Sequence, residues 1–243
     1  MDQSNLLELF QVTCLMQGFL NYGRAFPRVM FVAGRAQGDD QELIYAAGMW
    51  LKRYQHVNSC IVFPGHDGSY ADGQRVATGY PGFDNWRDRI LRFGQNTLPY
   101  EVLPCVVRAG HEKITHTREE TDGFVLRAQE RGWQSAFVMA HAHQLPRLMA
   151  CILKSMEELQ YPMDVYPKLP EKDSYCQNEA STDWQKVVYG SLGQQSKARW
   201  QHIEEELNRI LSYQEKGWMV PLAKLRDYLL RQNTPPNGVQ EMD

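Results

Sequence analysis

Apolar residues along the chain follow two alternating patterns. One is a short run with no polar interruption, and the other is a longer stretch with apolar residues three or four positions apart. The first pattern predicts buried strands and the second one-sided helices. A helix is expected over 5–22, where Leu6-Leu7 and Leu15-Met16 are interrupted by Glu8, Gln11 and Gln17. The first strand-like run is Val29-Met30-Phe31-Val32-Ala33, ending in Gly34-Arg35-Ala36-Gln37-Gly38-Asp39-Asp40. The stretch after it sets Leu43, Ile44, Ala47, Trp50, Leu51 and Tyr54 on one helical face, with Asp39 or Asp40 as its cap.

The same grammar repeats. Cys60-Ile61-Val62-Phe63 runs into the turn Pro64-Gly65-His66-Asp67-Gly68-Ser69, a Gly-rich loop, and a helix over about 84–93 that turns Trp86, Ile90 and Phe93 inward. Pro104 weakens the third run, residues 102–107, because proline cannot donate to a central ladder; that strand is expected to start at Cys105. The fourth run, Ala136-Phe137-Val138-Met139-Ala140, leads through His141-Ala142-His143-Gln144 into a helix aligning Leu145, Leu148, Met149, Ile152, Met156 and Leu159. An edge-like strand, Met163–Tyr166, follows.

Short apolar strands alternating with crossover-length helices predict right-handed βαβ units and a mainly parallel sheet covered on both faces. The expected fold is a three-layer α/β/α sandwich with a Rossmann-like sheet, one domain over 1–232 whose motif-bearing core is 29–167. Residues 168–196 are polar and read as a surface excursion. The stretch 194–232 reads as two closing helices, burying Trp200, Ile203, Leu207, Ile210 and Leu211, then Trp218, Leu222, Leu225 and Leu229. The remainder, 233–243, reads as a frayed tail.

Composition narrows the class of protein without changing the fold. The 243 residues are 43% hydrophobic and 23% charged, which excludes wholesale disorder. Lys and Arg number 26 against 29 Asp and Glu, with no like-charge block, so no nucleic-acid partner is expected. No segment reaches the roughly 18 apolar residues of a membrane span, and no signal-peptide pattern opens the chain. Five scattered cysteines lack any C-x-x-C pair, which fits reduced thiols in a cytoplasmic protein.

Open parallel sheets bind ligands at the carboxyl ends of their strands. The loops expected there hold Arg35, Asp39, His66, Asp67, His111, His116, Thr117, Glu119, His141, His143 and Arg147, including five of the seven histidines. Thr117 followed by Glu120 reads as a capping box starting a helix that stops at Gly132. The amides of that helix start could also serve a phosphate or carboxylate. Arg147, one residue after Pro146 in a first helical turn, opposes the helix dipole and calls for a compensating anion, Glu119 or a bound phosphate. His141-x-His143, with His66 or His111, could complete a zinc or manganese site; acid–base or phosphate contact by one histidine, or simple hydrogen-bonded imidazoles, are the alternatives. Gly34-x-x-x-Gly38 fits neither a P-loop nor G-x-G-x-x-G, and no G-x-S-x-G elbow is present.

In order along the chain, four of these segments resemble motifs of the YdcF/SanA/ElyC-like family: Val29 to Gly34, Phe63-Pro64-Gly65, His116-Thr117-Arg118-Glu119-Glu120, and Val138 to Arg147. His116 and Glu120 replace the asparagines of the family's Asn-Thr-x-Glu-Asn stretch, and Ala140-His141 its Thr-Ser. The family histidine falls on Gln144 without a gap, or on His143 with one residue inserted; Arg147 matches either way. The resemblance implies an α/β domain with a cleft for an anionic, nucleotide-like or isoprenoid-phosphate-like ligand, and some members resemble S-adenosylmethionine binders.

Three functions follow as expectations. The first is a hydrolase or transferase for a phosphate-containing small molecule. In it Gly34, Arg35, Gly65, His66, Thr117 and Arg147 bind ligand, and His143, His141 and Glu119 do the chemistry. The second is a non-catalytic module for a nucleotide or S-adenosylmethionine. The third is a histidine-rich hydrolase dependent on a divalent metal. A homo-oligomer is compatible with each.

Overall fold

The computed structural model describes residues 3–17, 27–34, 40–54, 59–64, 69–71, 74–76, 82–95, 106–109, 116–170, 187–188 and 197–233. Helix α1 (Gln3–Gln17) precedes β1 (Val29–Val32), α2 (Gln41–Tyr54) and β2 (Cys60–Pro64). Two short strands, β3 (Ser69–Ala71) and β4 (Gln74–Val76), pair antiparallel before α3 (Gly82–Gln95) and β5 (Val106–Ala109). Next come α4 (Thr117–Arg131), β6 (Ser135–Met139), α5 (Leu145–Glu158) and β7 (Asp164–Lys168). A second small antiparallel pair, β8 (Val187–Val188) and β9 (Lys197–Ala198), leads to α6 (Arg199–Glu215) and α7 (Leu222–Asn233).

Among the described residues five strands form one sheet in the order β5-β2-β1-β6-β7, and each of their pairings is parallel. The chain first steps outward from β1 to β2 and β5, then returns to β6 and steps the other way. Right-handed crossovers therefore place α2 and α3 on one face and α4 and α5 on the other. Ring contacts agree with that division. On one face Trp50 of α2 meets Phe137 edge-on at 6.3 Å and Trp86 of α3 lies 5.5 Å from Phe63. On the other, Phe31 of β1 stacks on Phe124 of α4 at 4.5 Å. Alternation along β1 explains this: Met30 and Phe31 point to opposite layers, and both are fully buried. Burying a side chain of that size stabilises the fold by about 1.5–3 kcal/mol.

The expected three-layer sandwich is the observed one. Details differ where local rules yield to the sheet. The third strand occupies 106–109; the expected start at Cys105, and the run before it, lie outside the described residues. Strands β2 and β7 each include a proline, Pro64 at the last position and Pro167 on an edge strand, both places where a missing N–H is tolerated. The β3–β4 pair carries no apolar run and was not anticipated.

Edge strand β7 is covered from α7. The Tyr228 hydroxyl accepts from the Val165 amide at 2.7 Å and donates to the Val165 carbonyl at 3.2 Å, while Gln232 Nε2 donates to Asp164 Oδ1 at 2.8 Å. One phenol thus satisfies both backbone groups that an edge residue presents outward. Tyr228→Phe is expected to lower stability by about 1–3 kcal/mol and to increase aggregation after partial unfolding, measured by denaturant titration with light scattering.

Candidate functional site

Strand order reverses between β1 and β6, the place where an open parallel sheet offers a crevice at the carboxyl ends of its strands. The Ala33 amide donates to the Met139 carbonyl at 3.0 Å, extending the pairing by one residue, and Gly34 leaves the sheet there. Beyond Met139 the chain turns through Ala140, His141, Ala142 and His143 to Gln144. The amides of Gln144 and Leu145 close that turn on the His141 carbonyl at 2.9 and 3.1 Å.

His141 is buried, and its Nδ1 lies 3.7 Å from Oε2 of Glu42, a residue in the first turn of α2. The dyad therefore bridges the segments that follow β1 and β6. The His143 ring is parallel to the His141 ring within 7°, with centroids 5.9 Å apart. Gln144 occupies the N-cap of α5 and is 6% exposed; its side-chain oxygen is buried and accepts no hydrogen bond. A buried acceptor without a donor costs about 1–3 kcal/mol, a loss that a ligand N–H or O–H would recover. Helix α5 also lacks acidic residues in its first turn, so nothing on that turn neutralises its positive end.

Thr117 and Arg147, expected as phosphate ligands, are in direct contact, but with each other and with the protein. Arg147 Nη1 donates to Thr117 Oγ1 at 2.5 Å, while Nε and Nη2 both bond the carboxylate of Glu206 on α6. Both members of this ion pair are buried. The guanidinium also lies 4.9 Å from the Tyr213 ring, and the Tyr213 hydroxyl accepts from the Thr117 amide at 3.2 Å. The anion that compensates Arg147 is thus Glu206, not Glu119 or a required phosphate. Burial opposes the Glu206 charge, but Arg147, Arg209 and His143 outweigh it and hold the carboxyl below its ordinary range. Beneath them, burial pushes the Cys151 thiol up to about 12, so it is a packing group rather than a nucleophile.

The cap of α4 is displaced by one residue from the expected box. His116, with extended φ −153° and ψ 164°, is the N-cap, and its Nδ1 accepts from the Glu119 amide at 3.3 Å. Thr117 is therefore the first helical residue, which frees its hydroxyl to meet Arg147. The His116 ring stacks on Trp218 at 4.3 Å, in the link between α6 and α7. Burial lowers its affinity for a proton, and Lys216 adds to this against the opposing pull of Glu119. A neutral ring is what an accepting Nδ1 requires. Glu119 Oε1 lies 3.7 Å from His116 Nε2, so this expected catalytic group belongs to the cap. Three of the α4 amides proposed for phosphate are taken: Thr117 by Tyr213, Glu119 and Glu120 by His116.

Of the expected site, then, Gly34, His141 and His143 come together at the crevice. Thr117 and Arg147 belong to the adjoining network with Glu206 and Tyr213, Glu119 sits partly exposed beside the α4 cap, and Arg35, Gly65 and His66 lie outside the described residues. Asp40, read as a cap, precedes α2; its carboxylate accepts from Trp86 at 2.8 Å and Arg89 at 2.5 Å and ties α2 to α3. Sequence reasoning passed over Glu42, Gln144, Glu206 and Tyr213 as site residues. Glu206 did leave a signal: it interrupts the apolar stripe of Ile203, Leu207 and Ile210, and a carboxylate on a buried face needs a cation. Among the described residues no three His, Cys, Asp or Glu side chains are disposed to share a metal ion, and no helix is long and apolar enough to cross a membrane. Comparison with family models gave no match, and neither did comparison with curated proteins.

Proposed function

We propose that this protein binds an anionic, phosphate- or nucleotide-like small molecule in the crevice between β1 and β6 and acts on it as a hydrolase or transferase. The observation that carries the reading is the meeting of the His141–Glu42 dyad, His143 and the unpartnered Gln144 oxygen at the strand-order reversal. In this reading the backbone at Gly34 receives the anion and α5 contributes the field of its dipole rather than a set of amide donors, since the Gln144 and Leu145 amides close on the His141 carbonyl and Pro146 has no N–H. Gln144 accepts a hydrogen bond from an N–H or O–H of the ligand. His141 moves the proton, with the Glu42 carboxylate 3.7 Å away stabilising the charge it gains. Arg147 acts through Glu206, which it keeps ionised near His143. The resemblance of four ordered motifs to the YdcF-like family supports the ligand class.

A second reading, a non-catalytic binder of a nucleotide or S-adenosylmethionine, draws on Ala140 and Glu120. Both occupy positions where that family carries polar groups, and both are buried. A thermal-shift panel of inorganic phosphate, nucleoside mono- and triphosphates and S-adenosylmethionine, followed by product analysis, separates the two. The expected result is saturable stabilisation by a phosphate-bearing member, about 2.7 kcal/mol at a hundredfold excess over Kd, with product formed. Stabilisation without product selects the second reading. No stabilisation by any member removes both.

A further inference from the structure

Helix α1 carries two apolar stripes, and only one of them has a partner. Leu9, Val12 and Met16, spaced three and four apart, are buried where α1 packs on α7. Leu7, Phe10 and Cys14 repeat that spacing two residues earlier and are exposed, Leu7 by 57% and Phe10 by 66%. Leu6 and Leu230 are also largely exposed, so the exposed large apolar side chains among the described residues all lie on these two helices. Between them runs a groove of about 580 Å³ lined by Phe10, Gln11, Cys14, Leu15, Leu230 and, at its polar rim, Arg226 and Asn233. Exposed apolar side chains concentrated in this way mark an interaction surface.

Charge and spacing identify the occupant. The one charged residue of α1 is Glu8, which continues the row of Gln11 and Leu15 along the groove wall. Among the described residues, the one charge lining the groove is Arg226, which its own protomer engages through Asp227 at 3.2 Å and the Gln11 side-chain oxygen at 3.5 Å. A second copy of α1 laid in the groove would bring its Glu8 to this Arg226, and two-fold symmetry would repeat the pair. The three-four stripe of Leu7, Phe10 and Cys14 is also the spacing by which one helix seats on its own kind.

We propose that the α1–α7 groove is a homodimer surface, in which α1 of each protomer occupies the groove of the other and Glu8 pairs with Arg226 across the interface. Sedimentation velocity of the full chain from about 1 to 100 μM is expected to show mass rising from one chain toward two. Phe10→Glu should hold the mass at one chain throughout and leave Tm unchanged at about 1 μM, where the wild type is also a single chain, because Phe10 contributes little to its own protomer. Glu8→Arg and Arg226→Glu should each weaken association about fivefold to tenfold, and the double reversal should restore it. A single-chain mass at every concentration overturns the proposal, and so does a dimer untouched by Phe10→Glu. Failure of the double reversal to rescue its two single variants overturns the Glu8–Arg226 pairing and with it this arrangement.

Discussion

Glu206→Ala is expected to destabilise the protein by about 3–5 kcal/mol, because it strands the Arg147 guanidinium inside the protein without its counter-charge. Arg147→Ala should cost a similar amount by stranding Glu206. Joint replacement by apolar residues of like volume, Arg147→Met with Glu206→Leu, should recover most of the loss, since desolvation of the pair offsets much of its attraction. Denaturant unfolding of the three variants measures each step. If Arg147→Ala instead left stability intact and removed only ligand binding, the guanidinium would be a ligand group and the support role would be wrong.

Acid titration gives an independent check on the same pair. The folded Glu206 carboxyl lies below its ordinary value, so its contribution is fully present above the unfolded value, near 4.5. It is lost as pH falls from there through the folded value. Wild-type stability should therefore decline on the acid side of pH 4.5 more steeply than that of Glu206→Gln, which has no proton to gain.

His141→Ala is expected to lower turnover of the phosphate-bearing ligand about 10²–10⁴-fold, the range for removing a general acid–base group. Glu42→Gln should give a smaller loss with a displaced pH–rate profile, because it removes the charge that stabilises the protonated ring and leaves the imidazole in place. Gln144→Leu should weaken binding while turnover at saturation changes less, since its oxygen is assigned to holding the ligand. Equal activity of His141→Ala and wild type would remove the proposed proton transfer.

These two sets of variants also separate what was legible in the sequence from what was not. Helix α4 was readable at both ends within one residue. Gly132 at φ 67° stops it in the left-handed conformation that glycine favours, but its start moved from Thr117 to His116. The shift has a local cause and a distant consequence. A histidine nitrogen can cap as well as a threonine oxygen, and the vacated hydroxyl then reaches Arg147 on another helix.

The order of apolar runs and amphipathic stretches by itself determined the layers of this protein, because buried parallel strands and one-sided helices have few ways to cover each other. It also placed His141 and His143 at a strand end. Tertiary structure alone decided which side chains answer one another. Arg147 and Glu206 are 59 positions apart, and whether a guanidinium waits for a ligand or for its own protein depends on where α6 comes to rest. Periodicity encodes which face of a helix is buried; it carries no record of the helix that will lie against it.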